Sequence, residues 1–202
     1  MPPTLPVAFG IRDAGLSMTA GAHEWLSTRP IARAAAVAAS ALLTDVAALA
    51  LVAAALLGTR VRPVLAVGIA LIARAVTAAV TALPPPPGGL WLTPQWHTVL
   101  PSLAQAVLVS GASGPHVQFF SGAAALGAIA ACEVIAMTAR IRHRPTAALI
   151  IASVVAALTL NCTALLALRV HWSADILAGL LVGRYAHLAA QTYTPFFDSA
   201  LP

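Results

Sequence analysis

The chain has 202 residues, of which 60% are hydrophobic and 8% charged, and its formal net charge at pH 7 is +5. A soluble domain carries about 25% charged residues. This composition, with a mean hydropathy of +0.90, therefore excludes an ordinary water-soluble globule and argues for a bilayer as solvent. Every basic residue is an arginine, and the arginines are scattered between apolar runs, which argues against nucleic acid as a partner.

In chain order, residues 1–30 lack the basic start, apolar run and cleavage site of a signal peptide and read as an N-terminal interfacial arm. A spanning helix needs about 20 apolar residues. Ile31 to Gly58 supplies the first and Pro63 to Leu83 the second, with Pro63 suited to a first turn. The PPPPGG run from Pro84 to Gly89 then breaks the chain. Trp96 to Ser113 is apolar but short and holds Pro101 and Gly111. It is expected to lie on the membrane surface, a sixth span being the alternative. Val117 to Ala139, Thr146 to Leu168 and Trp172 to Ala190 are the remaining spans. Residues 192–202, with Pro195, Phe196 and Phe197, read as a C-terminal tail at the interface. The expectation is an all-α integral membrane bundle of five to six transmembrane helices over residues 31–191. The links Arg60–Arg62 and Arg140–Arg144 are arginine-rich, and the positive-inside tendency puts them in the cytoplasm. His171 and the start of the third span then face the extracytoplasmic side of the plasma (inner) membrane.

Three stretches carry chemistry. In HWSAD, His171 to Asp175, a helix would stack the imidazole and the carboxylate one turn apart. The pair either satisfies itself near an interface or forms a nucleophile with its orienting acid. Ionisable residues inside a span are costly and point to function. In HVQFFSGAAALG, His116 to Gly127, Ser121 and Gly122 open a helical run. Ser121 is an ordinary N-cap or the rim of an anion site, since helix-start N–H groups bind phosphate. In RAVTAAVTALPPPP, Arg74, Thr77 and Thr81 share one stripe. Arg74 is half of an ion pair with Asp45, a phosphate ligand, or both.

These stretches resemble the signature blocks of the sphingomyelin synthase family, within the type 2 phosphatidic acid phosphatase superfamily. Arg74-x-x-Thr77-x-x-Val80-Thr81-x-Leu83-Pro84 resembles its second block, and Phe120-Ser121-Gly122 the start of its aromatic-Ser-Gly-His block. His171-Trp-Ser-Ala-Asp175 is similar to its His-Tyr-Thr-x-Asp block, and the likeness covers roughly Arg74 to Tyr185. The resemblance implies six helices and a phospholipid or lipid-phosphate substrate whose phosphorus is taken by His171, with Asp175 as partner. It implies phosphate contacts from Arg74, Thr81, Ser121, Gly122 and Arg169. Arg169 stands only two residues before His171, closer than in the superfamily, and is equally an interface anchor. Ala123 stands where the family has its second histidine, the general acid and base. Alanine moves no proton, and such a group contributes about 10²–10⁴ in rate, so the chain is expected to be inactive or nearly so. Ala123 is either an introduced replacement or the mark of a degenerate member. His116, seven residues earlier, is a distant substitute.

The expected activity is lipid phosphotransfer, as a transferase or as a hydrolase, the rivals being a lipid-phosphate phosphatase and a non-catalytic lipid-binding protein. No cofactor or metal is called for, because cations and N–H groups stabilise a transferring phosphoryl group. The sequence leaves a homo-oligomer open. The remaining polar residues have structural readings. Glu133 pairs with an inner arginine, Asn161 with Thr159 and Thr163 bridges helices, and His97, His143 and His187 are interfacial. Cys132 and Cys162 are small hydrophobes.

Overall fold

A computed structural model of the chain describes residues 13–58, 61–81, 86–89, 120–139 and 141–200. Among the described residues all regular structure is helical. Two short helices, α1 (Ala14–Met18) and α2 (Ala20–Ser27), precede five long ones. These are α3 (Pro30–Gly58), α4 (Arg62–Val80), α5 (Gly122–Thr138), α6 (Arg144–Ala167) and α7 (Ser173–Ala200). The five expected apolar runs thus each form a helix.

Local chemistry sets the ends. Pro30, Pro63 and Pro145 sit in first turns, where the missing N–H costs nothing. Ser121 caps α5, its hydroxyl accepting from Ala124 N–H. His143 caps α6 and accepts from Thr146 N–H. At the other end of α6, Val170 N–H reaches Leu165 O and Arg169 N–H reaches Leu166 O, both at 3.0 Å. That is a Schellman closure, and its left-handed residue is Arg169 with φ of +52° rather than a glycine.

The helices pack around α5, which touches α3, α4, α6 and α7. Its seventeen residues are apolar on nearly every side and mostly buried, the pattern of a central helix. A core cluster joins Leu51 of α3, Ala66 and Ala70 of α4, Leu126 and Ile129 of α5 and Ala186 of α7. The outward faces are apolar as well: Leu42, Leu49 and Leu56 on α3, Ile72 and Val80 on α4, Leu149 and Leu160 on α6, Leu177 and Leu181 on α7 are all exposed. Soluble monomers rarely present apolar surface on this scale. Among the described residues two helices are long and apolar enough to cross a membrane, over Pro30–Leu56 and Arg144–Ala167; α5 is apolar but shorter.

Several expectations are corrected. The third helix begins at Gly122, not Val117, because Ser121 caps it; residues 117–119, the segment 96–113 and His116 lie outside the described residues. The last helix runs on through Pro195 to Ala200, so residues 192–200 extend it instead of leaving as a tail. Buried Ala186, His187 and Ala190 keep that helix on the bundle, and the Thr192 and Thr194 hydroxyls donate back to Leu188 O and Ala190 O. The described part of the arm is docked on the bundle. Leu26 of α2 is buried in a cluster with Ala167 and Leu168 at the end of α6. His187 is 2% exposed rather than interfacial. Its Nδ1 lies 3.1 Å from Glu133 Oε1, and its Nε2 accepts from the Gln191 amide at 2.9 Å. Arg62 Nε donates to Glu133 Oε1 at 2.8 Å and Nη2 to Oε2, so one buried carboxylate ties α4, α5 and α7. Asn161 bridges α6 to α3 through Ser40 and Thr44. Thr159 and Thr163 bond only within their own helix.

Candidate active site

His171 lies in the turn before α7, and the helix begins at Ser173. The pair His171 and Asp175 is therefore not stacked along one helix, as the spacing suggested. Asp175 sits in the third helical position, and its Oδ2 accepts from Trp172 N–H at 3.0 Å. This is the acidic half of a capping box, and it satisfies one of the donors that a helix start leaves over. The carboxylate is wholly buried. Its Oδ1 has no hydrogen-bond partner among the described residues, and neither does His171 Nδ1. The two side chains face each other with Nδ1 3.9 Å from Oδ2. At that distance they form no hydrogen bond. Burying an unsatisfied carboxylate oxygen costs about 1–3 kcal/mol or more. The oxygen that caps the helix start is also the one 3.9 Å from the histidine, and Oδ1 is left buried without a partner among the described residues.

The start of α5 meets this turn directly. Ser121 N–H donates to Asp175 O at 2.9 Å. Two glycines of α7 make the approach close. A Cβ at Gly179 would stand 2.5 Å from Ser121 O, and one at Gly183 would stand 2.4 Å from Ala125 O. Gly179-Leu-Leu-Val-Gly183 is a G-x-x-x-G seam, which lets two helix backbones touch. It was visible in the sequence and went unread there.

Ser121 and Gly122 are thus brought to HWSAD, but both are buried. Gly122 also lines a small open cleft with Arg74 of α4, between walls that include Leu71, Phe120 and Leu126. Arg74 is partly buried at this cleft. Ion pairs within 4.0 Å include Arg62–Glu133, His187–Glu133 and His171–Asp175. Thr81 sits at the end of α4, where its hydroxyl donates to Thr77 O at 2.8 Å. Its proton is spent on its own helix. Ala123 packs with Ala124, Leu165 and Ile176.

The arm contributes what spacing did not reveal. The Asp13 carboxylate accepts from Ser173 N–H at 2.7 Å and from the Ser173 hydroxyl at 2.5 Å, while also capping α1 through Leu16 N–H at 2.9 Å. Burial pushes this carboxyl up, but the bonds from Ser173, Leu16 and Gly15 outweigh it and hold it below its ordinary value. His23 Nδ1 lies 3.0 Å from Ala167 O. Arg169 Nη1 donates to Pro87 O at 3.3 Å, which draws residues 86–89 over the same end of the bundle. Arg169 Nε is buried without a hydrogen-bond partner among the described residues. Left-handed φ at a non-glycine costs about 1–2 kcal/mol. Arg169 bears that cost two residues before the candidate nucleophile.

Comparison with known proteins gives no match: no family model fits the chain, and neither a curated protein nor a solved structure is similar to it.

Proposed function

We propose that the chain is a membrane-embedded lipid phosphotransferase that moves a phosphoryl or phospho-headgroup through a histidine intermediate. The reading rests above all on the facing of His171 and Asp175 beside the start of α5: Nδ1 lies 3.9 Å from Oδ2, and Nδ1 and Oδ1 are both buried without a hydrogen-bond partner among the described residues. With Nδ1 turned to the carboxylate, Nε2 is the nitrogen that attacks phosphorus. The carboxylate then stabilises the positive charge that develops on the ring. Arg169 and Arg74 are the cations for the phosphate oxygens, and their guanidinium forks suit that geometry. Thr81 has a lesser part, because its proton is committed elsewhere. The substrate is a lipid, in keeping with apolar outer faces and with helices able to span a bilayer. In this reading all five long helices belong to a bundle of the phosphatidic acid phosphatase type 2 kind, in the plasma (inner) membrane, with His171 at the extracytoplasmic face.

The test is direct. The purified protein is incubated in detergent with a panel of phospholipids, and both headgroup products and a phosphorus adduct at His171 are followed by mass spectrometry. Inorganic phosphate as product marks a phosphatase, and a new headgroup lipid marks a transferase. His171→Ala is expected to abolish the adduct. Turnover that survives His171→Ala removes the nucleophile. No product and no adduct with any lipid overturns the enzymatic reading and leaves a non-catalytic lipid-binding protein.

A further inference from the structure

Phosphoryl transfer to His171 needs a proton at the departing oxygen, because a lipid alkoxide is a poor leaving group. Position 123 cannot give one: Ala123 is an alkyl group packed against Leu165 and Ile176. The arm brings a second imidazole to the same end of the bundle. His23 Nδ1 is 3.0 Å from Ala167 O. A carbonyl only accepts, so Nδ1 carries a proton, and Nε2 is the nitrogen left to exchange one. Nε2 faces Gly88, whose φ is +74°. A Cβ there would stand 3.3 Å from Nε2 and 3.8 Å from Arg169 Cδ. Glycine therefore keeps an atom-sized opening between the imidazole nitrogen and the side chain of Arg169. That side chain leaves a buried Nε without a hydrogen-bond partner among the described residues, and its backbone is strained at φ +52°. Strain of this kind gathers at functional sites.

We propose that His23 is the proton carrier of this site, serving the leaving oxygen and then the acceptor; the proposal rests on the reading of His171 as nucleophile. In the first step the Nε2 lone pair of His171 forms the N–P bond and the P–O bond to the lipid alcohol breaks. The departing oxygen takes the Nε2 proton of the His23 imidazolium. In the second step the oxygen of water or of an acceptor alcohol bonds to phosphorus and gives its proton to His23 Nε2. The N–P electron pair returns to His171. Arg169 holds the phosphate oxygens between the two rings.

Leaving-group dependence tests the assignment, since an aryloxide departs without a proton. Phosphatidic acid is paired with 4-nitrophenyl phosphate, and phosphatidylcholine with 4-nitrophenyl phosphorylcholine. His23→Asn keeps an amide donor for Ala167 O and removes Nε2. It is expected to slow the single-turnover first step, release of the alcohol and loading of His171, by about 10²–10⁴-fold with the lipid of a pair and to leave the matching burst of nitrophenolate within a few-fold of wild type. His23→Gln, which places an amide near the Nε2 position, must behave alike. Equal losses on both members of a pair, or no loss on either, overturn the role of His23 while the His171 reading stands. A wild type that turns over none of the four and carries no phosphorus on His171 overturns both.

Discussion

Replacing Gly179 by alanine tests whether α5 and α7 are in backbone contact at the site. The new methyl would lie 2.5 Å from Ser121 O, 3.1 Å from Ala124 Cβ and 3.4 Å from Ala125 N. Carbon and oxygen settle at about 3.3–3.6 Å, so the helices must part by roughly 1 Å. The obstacle is backbone rather than a flexible side-chain tip, and overpacking of that sort costs about 1–3 kcal/mol. Alanine also favours helix over glycine by about 1 kcal/mol, which would mask part of the loss. Gly68→Ala removes the ambiguity. Gly68 is helical too, and nothing lies within 4 Å of its added methyl, so it shows the propensity gain alone. The two variants are expected to differ by about 1–3 kcal/mol in unfolding followed by circular dichroism in mixed micelles. The Ser121 amide, 2.9 Å from Asp175 O, is expected to exchange hydrogen faster in Gly179→Ala. Equal stability of the two variants, with equal protection at Ser121, would refute the close seam and with it the route by which α5 reaches HWSAD.

Other outcomes follow from the same geometry. Glu133→Gln takes the carboxylate from partly buried Arg62 and buried His187 and is expected to cost about 3–5 kcal/mol, whereas Arg62→Leu, Glu133→Leu and His187→Leu combined should unfold closer to wild type; similar losses in both would show that the carboxylate is not the tie. Arg169→Gly relieves the left-handed strain and should raise stability by about 1 kcal/mol, while Arg169→Ala should not, and both should weaken phosphate binding. The Asp13 carboxyl is held below its ordinary value, so its contribution is present above about pH 4 and is lost as pH falls through the folded value. An acid titration of stability should show that loss in the wild type and not in Asp13→Asn.

The five long helices were legible because each is a run of small and apolar residues bounded by proline, serine or arginine. The HWSAD pairing was legible too, although its helical start was misplaced. Asp175 three residues after Trp172 marked the helix start, but tryptophan is a poor N-cap and hid the boundary. The seam at Gly179 and Gly183 followed a known spacing and was passed over among many small residues. Asp13 on Ser173 spans 160 positions, and His187 beside Glu133 likewise joins separate helices. Neither leaves a local pattern, because tertiary capping and buried pairing depend on which helix ends meet. The left-handed Arg169 carried no signal either, since glycine is the residue that ordinarily marks such a turn.

The bond from Asp13 to Ser173 also imposes an order of assembly. A ribosome makes Asp13 early and Ser173 only after four of the five long helices have been synthesised. Until the last of them emerges, Asp13 lacks its partner, while α2 can already dock on the end of α6. Nascent chains arrested before α7 should therefore leave the chain around Asp13 more open to protease than α2, and its full protection should arrive together with that final helix.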